Sequence, residues 1–135
     1  MIAADTSVAV AAFASWHESH ERARAALRDG AAVLVAHCAL ETYSVLTRLP
    51  TPHRAPRALV HEFLRAQFRA PYLVMAAREQ RGLTARLLEL GIDGGAVYDA
   101  LVALTAASAD ATLVSCDRRA AATYARCGVQ ARVVG

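Results

Sequence analysis

The sequence predicts an α/β fold: a parallel sheet with helices on both faces, in a three-layer α/β/α arrangement. Three observations carry this. Short apolar runs alternate along the chain with longer stretches of helical character, the order that builds parallel strands joined by crossover helices. Those runs are compact and apolar, as strands covered on both faces are. The 135 residues also contain no repeat, no low-complexity segment and no linker, so 1–135 is expected to form one domain with a real core.

The elements follow in order. Met1–Ala4 is a short apolar strand ending at Asp5, which stands ready to cap the helix Thr6–Phe13. A polar helix is expected over about His17–Arg28, closed by Asp29-Gly30. Ala32–Val35 is the second strand, followed by a helix from about Cys38 to Leu49, stopped at Pro50. The loop Thr51–Pro56 leads into Arg57–Phe68, whose Leu59, Val60, Phe63 and Leu64 recur at three- and four-residue spacing. Tyr72–Met75 reads as a strand and Arg78–Leu90 as a helix closed by Gly91. Ala96–Ala107 is apolar on nearly every face, which predicts a buried helix. Ala111–Val114 is a strand, Arg118–Arg126 a helix closed by Gly128, and Gln130–Val134 a final strand.

Composition removes several classes of function. Hydrophobic residues make up 56% of the chain, which is not a disordered composition. Apolar runs are too short and interrupted to span a membrane. The start, Met-Ile-Ala-Ala-Asp, lacks the basic and long apolar regions of a signal peptide, so a cytoplasmic location is expected. Three cysteines without a C-x-x-C pattern argue against a disulfide framework or a zinc ribbon. All 15 basic residues are arginine. Without lysine there is no P-loop, no Schiff-base chemistry and no receiver domain. Arginine suits bidentate phosphate contacts, and a net charge of +3 is compatible with an anionic partner.

The chemistry sits at the carboxyl ends of the strands, where open α/β sheets place their sites. Asp5 ends the first strand and Asp117 follows the strand Ala111–Val114. Glu41 is placed in the first turn of the helix after Val35, and Asp99 in the first turn of the helix Ala96–Ala107. Taken singly, each acid has an ordinary explanation: Asp5 and Asp117 as helix caps, Glu41 as an acid favoured by the helix dipole. Asp99 is the exception, because a carboxylate among such apolar neighbours is expensive unless paired or bound to a cation. Four carboxylates on one rim, with no arginine or lysine among them, would repel. Hard divalent cations such as Mg²⁺ or Mn²⁺ relieve that repulsion, and such clusters serve phosphoryl transfer by water.

These residues carry a family resemblance. Asp5-Thr6-Ser7 after a short apolar strand resembles the opening motif of PIN-domain nucleases. Glu41, Tyr98-Asp99-Ala100-Leu101 and Ser115-Cys116-Asp117-Arg118-Arg119 are similar to the family's later motifs, in order. Essentially the whole chain is covered, and its plain layout resembles VapC-type toxins of toxin–antitoxin pairs. Ser115 stands where threonine is common and keeps the hydroxyl. The resemblance implies a five-stranded parallel sheet in the order 3-2-1-4-5 and metal-dependent endoribonuclease activity leaving 5′-phosphate and 3′-hydroxyl ends. It implies a homodimer and an antitoxin that wraps the chain and obstructs its site. By position, Asp5, Glu41, Asp99 and Asp117 would hold Mg²⁺ or Mn²⁺. Ser115 would orient a ligand or the attacking water, with Thr6 and Ser7 as further polar candidates.

Arg118 and Arg119 follow Asp117 directly, so they are the first candidates for gripping RNA phosphate, ahead of Arg48 and Arg54. Aromatics are 6% of the chain, which points away from a base-stacking platform and towards recognition of RNA shape and backbone. His17 and His20 are three apart, not the four a helical zinc pair needs. His37 and Cys38 read as local packing, and His53 and His61 show no partner. The apolar faces of Cys38–Leu49 and Arg57–Phe68 suit a dimer partner, an antitoxin segment or the core. Two rivals to the toxin remain open: a PIN-like nuclease acting in RNA processing or on DNA, and a non-catalytic metal- or RNA-binding domain.

Overall fold

β1 (Ile2–Ala4) and β3 (Thr112–Ser115) lie at the centre of a four-stranded parallel sheet, flanked by β2 (Val33–Leu34) and β4 (Ala131–Val133) in the order β2-β1-β3-β4. The computed structural model describes residues 1–135. Register places Ala4 beside both Leu34 and Val114, and Ser115 beside Val133. The chain leaves β1 towards β2 and returns to β3 on the opposite side, so the switch in strand order falls between β1 and β3.

The expected fifth strand, Tyr72–Met75, is reduced to one parallel bridge between Leu73 and Val35. Leu73 N–H donates to Leu34 O at 2.9 Å, and Leu73 O accepts from Ala36 N–H at 2.9 Å. Tyr72 and Val74 on either side are exposed, so nothing holds them to the sheet. The bridge occupies the edge position of the 3-2-1-4-5 order.

Eight helices connect and cover the strands: α1 (Thr6–Phe13), α2 (His20–Ala26), α3 (Ala36–Thr47), α4 (Arg57–Gln67), α5 (Ala77–Arg81), α6 (Leu83–Leu90), α7 (Ala96–Ser108) and α8 (Ala121–Arg126). α1 packs on α2, α3 and β3; α7 packs on β3 and α8; α3 packs on α4. Alanine makes this possible. Ala3, Ala4, Ala9, Ala11, Ala103 and Ala106 are wholly buried, letting α1 and α7 lie close to the sheet. Leu34, Leu46, Leu113 and Val8 fill the remaining space, each contributing about 1.5–3 kcal/mol by burial.

Several boundaries differ from expectation for identifiable reasons. The helix expected over 78–90 breaks at Gly82 into α5 and α6, glycine being among the poorest helix residues. Gly91, at φ 67°, closes α6 in the left-handed conformation that glycine favours. α2 starts only at His20, because Ser19 N–H donates to His17 Nδ1 and holds a turn before it. α3 starts at Ala36, as Cys38 and Ala39 N–H both donate to Val35 O. Glu41 therefore lies in its second turn, beyond the reach of the helix dipole. α8 starts at Ala121, so Arg118 and Arg119 belong to the turn before it. α7 is not buried all round either: Tyr98, Ala107 and Ser108 are exposed.

Candidate active site

The floor of the site forms where β1 and β3 end. Asp5 N–H still donates to Val114 O at 3.2 Å, carrying the strand pairing one residue further. The Asp5 backbone is extended, and its Oδ1 accepts from Val8 N–H at 3.2 Å, capping α1 as expected. Oδ1 also accepts from Ser7 Oγ–H at 2.6 Å, while Oδ2 accepts from Tyr124 O–H at 2.8 Å. Capping and site chemistry are thus not alternatives for Asp5; one carboxylate has the geometry for both. Burial pushes its pKa up, and the surrounding hydroxyls and the Val8 amide oppose this without cancelling it.

The same network positions Asp117. Ser7 Oγ accepts from Cys116 N–H at 2.7 Å and lies 3.3 Å from Ser115 Oγ. Ser115 Oγ accepts from Asp117 N–H at 3.0 Å, and Asp117 Oδ1 accepts from Arg119 N–H at 2.9 Å. This turn is what delays α8. Ser115 is wholly buried and lies beneath the cavity rather than on its wall. Its hydroxyl touches the Asp117 backbone, Ser7 and the Asp5 carboxylate, so it acts on two of the acids from behind.

Asp5, Glu41, Asp99 and Asp117 line one cavity of about 400 Å³, together with Thr6, Ser7, Cys38, Tyr98, Arg119 and Tyr124. Asp99 projects from the first turn of α7. Its pKa is raised by burial first, then by the charges of Asp117, Asp5 and Glu41, while Arg119 pulls it down. Three elements distant in sequence thus place their acids within electrostatic reach of Asp99. Arg119 corrects the expectation of a cluster without arginine: its Nε lies 3.8 Å from Asp117 Oδ1. Its side chain is 96% exposed, so water screens it and it neutralises little. Arg118 turns away, its Nη2 donating to Gly135 O, and does not line the cavity.

The acids line the walls of the cavity, and no three metal-binding side chains stand together as a ready-made ligand set. The donor chemistry still fits a hard divalent cation. The carboxylates and hydroxyls supply oxygen, and the repulsion that raises Asp99 is the kind a cation relieves. Cys38, the soft donor on the wall, is buried and its thiol pKa is pushed up to about 12, so it stays protonated. Thr6 Oγ1 is buried beside the Cys38 thiol.

Other candidates fall outside the cavity or acquire ordinary partners. Arg54 Nε donates to Leu49 O beyond the far end of α3, and Arg48 caps that helix. His20 Nδ1–H donates to Ala11 O at 2.8 Å, an ordinary structural bond. His53, expected to lack partners, stacks against Trp16 with ring centroids 4.2 Å apart. His61 is exposed. All three cysteines are free. Leu46, Val60 and Leu64 take the apolar faces of α3 and α4 into the core, leaving Leu40, Tyr43 and Leu59 exposed.

Two site residues escape a reading of the sequence. Tyr124 is a single aromatic in a short alanine-rich helix, and only the fold brings it 2.8 Å from Asp5. Tyr98 stands in a motif with Asp99, yet its own part shows only in its position on the wall.

Known proteins resemble this chain over nearly its whole length. The PIN domain family matches residues 2–126. Ribonuclease VapC40 of Mycobacterium tuberculosis, from strains CDC 1551 / Oshkosh and H37Rv, is 52% identical over 134 residues, covering 99% of both chains. Ribonuclease VapC27 of M. tuberculosis H37Rv is 42% identical over 128 residues, covering 95% of this chain and 93% of its own.

Proposed function

The chain belongs to the PIN-domain family, and from that premise we propose that it is a divalent-metal-dependent endoribonuclease, the toxin of a toxin–antitoxin pair. The observation that carries the reading is the convergence of four acids on one cavity, with Asp99 raised by burial and then by the charges of the other three. A cavity so charged repels an RNA phosphate unless a cation is held there. Relatives named as ribonucleases over nearly the full chain support RNA as substrate.

In this reading Asp5, Glu41, Asp99 and Asp117 hold Mg²⁺ or Mn²⁺. Once bound, the cation supplies charge neutralisation and a water of lowered pKa for attack on phosphorus. The chain's own groups do the rest. Ser7, Val8 and Tyr124 hold the Asp5 carboxylate in one orientation. Ser115 fixes the backbone that presents Asp117. Arg119, at the mouth, is placed to meet a phosphate oxygen, and Thr6 lines the wall with it. Arg118 contributes only general positive charge.

The proposed partners are an antitoxin that covers the cavity and a second copy of the chain. Exposed Leu40, Tyr43 and Leu59 offer apolar surface for protein contact. No helix is long and apolar enough to cross a membrane.

The test is RNA cleavage by purified protein with Mg²⁺ and with EDTA, beside expression of the chain alone and with its antitoxin. Cleavage lost with EDTA and restored by Mg²⁺, with growth arrest relieved by the antitoxin, is the expected result. Metal-independent cleavage would refute the cation site, and harmless expression of active, soluble protein would refute the toxin assignment.

A further inference from the structure

We propose that Tyr98, backed by His37, is a stacking platform for one RNA base beside the scissile phosphate. This rests on the ribonuclease reading and adds to it a grip on substrate that the acids cannot provide.

Tyr98 lies on the cavity wall and immediately precedes Asp99. It is 57% exposed, whereas Val102 on the same helix is buried. One face of its ring is occupied. The His37 imidazole lies against it with centroids 5.6 Å apart and planes inclined by only 9°. With that face taken, the exposure belongs to the remainder of the ring, which is open at the mouth of the acid cavity.

His37 lies between the ring and an acid. Its Nε2 is buried without a hydrogen-bond partner and lies 3.6 Å from Glu41 Oε2. The histidine therefore stands between the base platform and one of the acids, which sets the platform beside the proposed point of cleavage. Parallel stacking continues naturally onto a third ring, and a nucleobase is the flat, polar-edged ring that an RNA strand brings to this mouth.

Electrostatics supplies the need. Four carboxylates make the cavity hostile to phosphate, and Arg119 is the one arginine on its wall. A base stacked on Tyr98 adds attraction that does not depend on charge. It also requires an unpaired or splayed nucleotide, so the substrate class is single-stranded or loop RNA rather than a continuous duplex. The other exposed aromatic stack, Trp16 with His53, lies beyond the opposite ends of α1 and α3. One base is gripped at the site, not a track of bases. The low aromatic content, which argued against a stacking platform, is a statement about the whole chain; a single base needs only one well-placed ring.

The experiment uses a 12-nucleotide single-stranded RNA that the wild type cuts, with an abasic ribonucleotide placed at each position in turn. Cleavage by wild type, Tyr98→Phe, Tyr98→Ala and His37→Ala is compared at saturating Mg²⁺. Loss of the base at one position next to the cut is expected to lower wild-type kcat/KM by about 5- to 150-fold, the range of one base–aromatic stack. Tyr98→Ala lowers it similarly on intact RNA, and the two losses do not add. Tyr98→Phe retains both the rate and the sensitivity to base removal, and His37→Ala falls between. Additive losses, or no position sensitive to base removal, would overturn the platform while leaving the ribonuclease reading standing. A folded wild type that cuts only duplex RNA would overturn the platform alone, and one that cuts no RNA would overturn both.

Discussion

The floor and the wall of the cavity hold their acids in opposite ways. On the floor, both oxygens of Asp5 are engaged by donors from the chain, and the carboxylate also caps α1. On the wall, the shift of Asp99 comes from burial and from like charges, with no hydrogen bond among its causes. Asp5 is part of the fold's own bonding and Asp99 is not. The first is held by donors of the chain itself; the second has burial and like charges around it and no such donor. Function and stability therefore overlap at Asp5 and separate at Asp99.

The largest expected effect breaks the wall alone. Asp99→Asn should lower RNA cleavage by about 100-fold or more, the upper scale found when even the partners of metal ligands are removed. Its melting temperature in EDTA should equal or exceed that of the wild type, because a repelled charge has gone. Wild-type cleavage rates with the same Mg²⁺ dependence would end the metal-site reading.

Removing the floor should cost both properties. Asp5→Ala deletes a helix cap and leaves the Tyr124 hydroxyl buried without its acceptor. The two losses together predict destabilisation of about 2–4 kcal/mol, read by urea unfolding, along with loss of cleavage. An unfolding midpoint unchanged from wild type would show that the network does not carry the stability assigned to it.

Titration sharpens the contrast further. Asp5 and Asp99 both have pKa values raised above 3.8 in the folded chain. A raised carboxyl binds its proton more tightly when folded. The stability it lends is complete below 3.8 and disappears as pH rises through the folded value. In EDTA the wild type should therefore lose stability relative to Asp99→Asn as pH rises from about 4 upward. Saturating Mg²⁺ should cancel that relative loss, since it favours the charged form. Parallel melting-temperature curves for the two proteins in EDTA would count against a strained Asp99.

The smallest effect is expected at Tyr124→Phe. One donor to Asp5 is lost and the ring stays packed, so the cost is about 1 kcal/mol. Cleavage should fall less than for Asp99→Asn, because Ser7 and Val8 still hold the carboxylate. A fall as large as that of Asp99→Asn would move Tyr124 from positioning into the reaction itself.

The residues themselves pointed to the α/β class, the central strands and the acids Asp5, Asp99 and Asp117, because each leaves a local mark. A buried strand is an apolar run, a cap is an acid before a helix, and Asp99 is out of keeping with its neighbours. Alternation of strand and helix then implied which rim they share. Tertiary structure decided what has no local signature. The edge at Leu73 shrank to one bridge because only its neighbours determine whether an apolar run finds a strand to pair with. Glu41 sits one turn deeper than expected because Val35 and Leu73 set the start of α3. Ser115 went beneath the cavity, Arg119 to its mouth and Arg118 away from it, though all three stand within five residues. Tyr124 reaches Asp5 across 119 positions of chain. Side-chain type and spacing determine which groups can do chemistry, but their direction depends on a turn closed by hydrogen bonds between segments distant in sequence.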